Sequence, residues 1–261
     1  MSPNIPQITP EPLQAPTLLA LARLAPRDEP PLNLYLAAVD TLVQWQLNTE
    51  GHAALGAAAP DAATLTAQLQ GFSQAYLGIY RQCTLDDSMH STVTSAFSAI
   101  VAQCLALPSV AVHGGFGPDQ LVLASHPKAS FTLAAPTAVV LGPVGYDIAT
   151  LIRDPRLLWD EAFTLDVAIR YWDQARKAGL PVGADFGEFY RGLEWTALLH
   201  HLAVLGERAR AAASSAPEDG SALMALILAT CNRYIELKPL LRLLERIEGL
   251  DVQGGFVFGR L

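Results

Sequence analysis

Along most of this chain apolar residues recur at three- and four-residue intervals, and that spacing predicts helices. From Leu34 to Leu47 the positions Leu36, Val39, Leu42, Val43 and Trp45 fit one helix. Beyond Pro60, Asp61 supplies a cap, and Leu65, Leu69, Phe72, Tyr76, Ile79 and Tyr80 predict a long amphipathic helix. A second helix over 88–107 turns Met89, Val93, Phe97, Ile100, Val101 and Cys104 to the same inner side, so the two read as an antiparallel helical hairpin. The period then changes. Short apolar runs at 109–112, 121–123, 131–133 and 138–141, with a tight loop over 114–118, predict a small hairpin-like sheet. The helical spacing returns over 147–153, 159–178, 185–210, 221–236 and 239–248, with a helix exit at Gly179 ahead of Pro181.

The two ends differ from this body. Eight of the 18 prolines fall within the first 31 residues, which rules out a long helix there. The expectation is a proline-rich arm over 1–33, with one short helical turn at 18–24, followed by a body over 34–261. The Gly- and Phe-rich end, 254–261, predicts an extended tail that folds back. The fold class that emerges is mainly α with one small central β element.

Composition narrows the partners. Of 261 residues, 51% are hydrophobic and 16% charged, enough to bury a large core. A net charge of −8 argues against nucleic acid, whose phosphates call for a basic face. Cys83, Cys104 and Cys231 are widely spaced, with no metal or redox pair among them, and read as reduced thiols. No run of about 18 apolar residues occurs and the N-terminus lacks the order of a signal peptide, so the expectation is a cytoplasmic chain with no membrane partner.

Two stretches carry unusual chemistry. The first is Val112-His113-Gly114-Gly115-Phe116-Gly117-Pro118-Asp119-Gln120-Leu121; the second is Leu141-Gly142-Pro143-Val144-Gly145-Tyr146-Asp147, running on to Arg153 and Asp154. A helical hairpin, a His-containing loop, a β-hairpin and then Gly-Pro-x-x-Tyr-Asp opening a helix resemble the C-terminal helical lobe of aminoglycoside-phosphotransferase-type kinases. Within that group the pattern is most similar to the bacterial cell-wall-recycling kinases of N-acetylmuramate and N-acetylglucosamine. Tyr171-Trp172-Asp173-Gln174-Ala175 and Leu240-Leu241-Arg242-Leu243-Leu244 extend the resemblance over roughly 58–258.

That resemblance implies a loop of the form His-x-Asp-x-x-x-x-Asn, followed by a metal-binding carboxylate shortly before Gly142-Pro143. Here His113 is kept, but Gly115 stands at the aspartate position, Gln120 at the asparagine position and Ala135 near the carboxylate position. Between Asp119 and Asp147 there is neither Asp nor Glu. Nothing resembling a glycine-rich phosphate loop precedes the hairpin, and the first lysine is Lys128, so the N-terminal β lobe of the family reads as missing. With base, metal ligands and phosphate clamp all absent, the resemblance implies a pseudokinase with no catalytic residue, metal or cofactor. Its action would then be to bind a partner protein or another copy of itself. A residual amino-sugar pocket built from Asp154, Trp159, Glu194 and His201, or phosphotransfer by relocated groups, are the alternatives. The remaining marked positions read as structural: Gly142 and Pro143 shape a turn into the helix that Tyr146 and Asp147 open, with Asp147 capping it. His113 braces its loop, and Asp119 reads as a solvated loop acid.

Overall fold

A computed structural model describes residues 15–48, 59–124, 130–133, 140–213 and 215–250. The helices are α1 (Leu18–Leu24), α2 (Leu32–Leu47), α3 (Ala62–Gly71), α4 (Asp87–Leu105), α5 (Tyr146–Ile152), α6 (Glu161–Lys177), α7 (Phe186–Ala212), α8 (Gly220–Arg233) and α9 (Lys238–Glu248). Helix starts follow the capping signals in the sequence: Asp61, Asp86, Asp160 and Asp185 each accept a backbone N–H three residues on. The expected tail over 254–261 lies outside the described residues.

The predicted single helix after Asp61 does not continue as one. At Phe72 it widens into a π-helix over Phe72–Tyr80. Its wider turn rotates the inward face, so Leu77 is fully buried while Ile79, predicted to face inward, is 53% exposed.

The β element is two pieces rather than one hairpin. Strands β1 (Ser109–Val112) and β4 (Val140–Pro143) pair antiparallel, with Ser109 opposite Pro143 and Val112 opposite Val140. Strands β2 (Leu121–Leu123) and β3 (Phe131–Leu133) form a second antiparallel pair. Gly142 and Pro143 are therefore the end of a strand, and the turn into α5 is Val144-Gly145; the expectation that they form the turn is corrected. A Cβ at position 142 would lie 3.1 Å from Val112 Cγ2, which explains the glycine.

The stretch before α2 packs on this element. Thr17 bridges to Val122, the Leu123 N–H donates to the Pro16 carbonyl at 3.0 Å, and Leu18 is fully buried.

Two apolar cores result. One gathers α1, α2, α5, α6 and the start of α7; the other gathers α3, the π-helix, α4, α8, α9 and the rest of α7. At 27 residues, α7 runs about 40 Å and is the axle of both. Its Leu193 and Ala197 belong to the first core; Leu198, Leu202 and Leu205 belong to the second. The His-containing loop and the 153–156 turn face this helix near the junction.

Candidate functional site

The loop that follows β1 is held from below. Asp147, in the first turn of α5, is fully buried, and its carboxylate accepts the backbone N–H groups of His113 (2.9 Å) and Gly114 (3.0 Å). The N-cap of α5 is Gly145, with no side-chain cap bond, so the capping role expected for Asp147 is corrected: the side chain turns back to the loop. Burial pushes its pKa up to about 7, opposed by the two N–H groups that favour the carboxylate. His113 completes the brace, accepting the Gly115 N–H on Nδ1 at 3.3 Å and packing edge-on to Trp45.

Position 115 carries no side chain, and the added Cβ would touch only the His113 ring, at 3.6 Å. The acid next along, Asp119, is not simply solvated as expected. It accepts from Arg156 Nη2 at 2.6 Å and from Gln120 Nε2 at 2.7 Å. Arg156 also holds Asp154, at 2.6 Å through Nη2, so one guanidinium bridges the loop to the turn after α5. Those bonds hold the Asp119 carboxyl below the usual carboxylate range, against the burial that raises it.

Between this bridge and α7 lies a cavity of about 340 Å³, lined by Gly115, Asp119, Asp154, Arg156, His200 and His201 among others. Of the four residues expected around an acceptor, Asp154 and His201 meet here. The other two do not. Trp159 donates its indole N–H to the Tyr35 hydroxyl at 2.6 Å and packs on Phe163 in the first core. Glu194, 2% exposed, is committed to Arg153 (3.3 Å), Arg233 (3.1 Å) and the Tyr234 hydroxyl. The seven-residue spacing of Glu194 and His201 does put them on one face, but Arg153 lies between: its carbonyl accepts from His201 Nε2 at 3.0 Å, while its guanidinium reaches Glu194. That acceptance fixes the tautomer with the proton on Nε2, and burial pushes the ring pKa down to about 3. His200 pairs with the Tyr146 hydroxyl at 3.0 Å through Nδ1.

Arg156, Thr150 and Arg208 were not singled out from sequence. For Arg156 the only local sign is its place two residues after Asp154; its other partner is 37 positions away.

The magnesium site that the family pattern implies finds no fit in these donors. Gln120 is neutral and bonded to Asp119, and Asp119 faces a guanidinium that a dication would have to displace. Among the described residues no group of three His, Cys, Asp or Glu side chains is placed to hold a metal ion. Ala135 lies outside the described residues. Of Arg23 and Arg27, the two arginines ahead of the hairpin that could imitate a phosphate-binding lysine, Arg27 donates to the Leu157 carbonyl at 3.0 Å and Arg23 lies in the last turn of α1. Among the described residues no helix is long and apolar enough to cross a membrane.

No family model matches the chain. It is 36% identical over 164 residues to the N-acetylmuramate/N-acetylglucosamine kinase of Neisseria meningitidis serogroup B, covering 59% of this chain and 47% of that one. Against the kinase of the same name from Pseudomonas putida it is 30% identical over 179 residues, 68% of this chain and 50% of the other. The chain thus spans about half the length of the curated relatives it matches. Among solved structures, the GDP complex of wild-type aminoglycoside 2′-phosphotransferase-IIIa superposes with a TM-score of 0.54 at 16% identity, over 85% of this chain and 70% of that one. A point mutant of the same enzyme gives the same TM-score. The chain is accordingly a homologue, over half their length, of the N-acetylmuramate/N-acetylglucosamine kinases, and has the mainly helical architecture of the aminoglycoside phosphotransferase fold.

Proposed function

We propose that this chain is a catalytically silent relative of the amino-sugar kinases that binds its sugar without phosphorylating it. One observation carries the reading: every carboxylate around the loop is already engaged. Asp119 and Asp154 share Arg156, Asp147 is held by two backbone N–H groups, and position 115 offers none. To act as a general base, Asp119 or Asp154 would have to turn from the Arg156 guanidinium, since a cation so placed favours the ionised carboxylate and lowers its basicity. What remains is a cavity of ligand size, about 340 Å³, beside Asp154 and His201.

A protein that binds without turnover acts only through what its bound state does to another molecule. The proposed output is therefore association with a partner protein, governed by sugar occupancy. Calorimetry and thermal unfolding with N-acetylmuramate, N-acetylglucosamine and ATP–Mg²⁺ test this. Saturable sugar binding is expected, with a stabilisation that at a hundredfold excess over Kd reaches about 2.7 kcal/mol, and no ADP release. Sugar-dependent ADP release that is lost when Asp119 is replaced would overturn the silent reading. Failure of both sugars to bind at millimolar concentration would overturn the ligand reading.

A further inference from the structure

The open space does not end at the cavity described above. A second compartment of about 700 Å³ lies between α3 and the last third of α7, and the two meet along Gly114, His200 and Val204. Gly114 has φ +73° and a Cβ there would meet nothing within 4 Å, so the loop leaves the passage clear. The far end is shut where two backbones touch: a Cβ on Gly206 would fall 2.4 Å from the backbone of Gly71 and Phe72. The missing side chain at Gly71 leaves room for Arg210, whose Nη2 stands 3.1 Å from where that Cβ would be.

Two charges on this wall are unspent. Glu207 and Arg210 lie one turn apart on α7 and both line the compartment. Among the described residues neither makes an ion pair or a side-chain hydrogen bond. On the same helix Arg191, Glu194 and Arg208 all have partners. Both side chains are exposed and, at a spacing where opposite charges can pair, they stand apart, bordering a recess that adjoins the sugar-sized cavity.

We propose that this compartment receives the appendage of a substituted amino sugar, a group bearing both a carboxylate and an ammonium, as an amino-acid or dipeptide substituent does. Arg210 takes the carboxylate and Glu207 the ammonium, with Thr64 and Gln68 offering neutral hydrogen-bonding groups opposite. This rests on the reading that the adjoining cavity takes the sugar ring. It extends that reading from a free sugar to a conjugate.

Calorimetry on the full chain with three probes decides it: N-acetylmuramate, its uncharged alaninamide conjugate, and its alanyl-lysine conjugate, which carries both charges. The alanyl-lysine conjugate is expected to bind about tenfold tighter than the other two. Glu207→Gln and Arg210→Gln should each remove that gain while leaving the N-acetylmuramate affinity and the melting temperature unchanged. Equal affinities for the three probes, or a gain that persists in both variants, overturn the second compartment alone. Failure of all three to bind overturns the sugar reading and this inference with it.

Discussion

The Asp147 carboxylate grips the His113 backbone N–H at 2.9 Å across 34 positions of sequence, and its other oxygen takes the Gly114 N–H. The loop after β1 is thus clamped to the first turn of α5. Replacing Asp147 by Ala leaves the buried His113 N–H and the part-buried Gly114 N–H without their acceptor. Loss of about 1–3 kcal/mol is expected, chiefly from the buried His113 donor, since water can take up the Gly114 N–H. Urea unfolding of the variant checks it, and a change under about 0.5 kcal/mol would show the clamp to be idle.

Acid should destabilise the protein through the α7 histidines. Burial holds His200 down to about 4 and His201 down to about 3. The unfolded chain protonates both near its ordinary value of about 6.5, whereas the folded chain stays neutral, so the unfolded state binds more protons below that pH. Their contribution is complete above about pH 6.5 and is lost as pH falls toward 4 and then 3. Asp147, raised to about 7, acts in the opposite sense over part of this range. The measurement is therefore a difference: between pH 6 and 4, His201→Gln should flatten the stability slope relative to the parent by about 1 kcal/mol per pH unit. Parallel slopes would contradict it.

Glu194 sits 2% exposed between Arg153 and Arg233 and accepts from Tyr234. Removing one partner of a buried ion network leaves the others charged and unpaired. Glu194→Ala is expected to cost about 3 kcal/mol, and the double variant Glu194→Ala/Arg233→Ala less than the sum of the singles. Denaturant unfolding of the four-member cycle gives the coupling directly; strict additivity would mean the two side chains do not sense each other.

Gly206 faces Gly71 and Phe72 with no room for a methyl group, since a Cβ would lie 2.4 Å from backbone atoms that cannot turn aside. Gly206→Ala must push α7 away from α3. A loss of about 1–3 kcal/mol is expected, visible as a lower melting temperature. A neutral result would mean that the two helices separate at no cost.

Much of the fold was legible. The period of Val93, Phe97, Ile100, Val101 and Cys104 placed the inner face of α4, and all five are buried. Asp61 marked a helix start because an N-cap bond spans only three residues. Ile79 was misplaced because its position was read on the 3.6-residue period of an α-helix, which the wider turn of the π-helix does not keep. Gln46 went unremarked as a polar residue in an apolar pattern; it is 2% exposed, bonded to the Val144 carbonyl and the Tyr171 hydroxyl, neither near it in sequence.

By itself the sequence determined that the chain is mainly helical, that the loop after β1 carries His113, Gly115 and Gln120, and that Asp119 and Asp147 bracket a stretch without carboxylates. These are matters of residue type and short spacing, read one turn at a time. Only the tertiary structure decided where Asp147 points, that Arg156 joins Asp119 to Asp154, that Asp154 and His201 share a cavity while Trp159 and Glu194 serve elsewhere, and that Glu207 and Arg210 border a second one. Such contacts join residues tens of positions apart through single side chains, and a pair of that kind leaves no period in the chain for a reader to find.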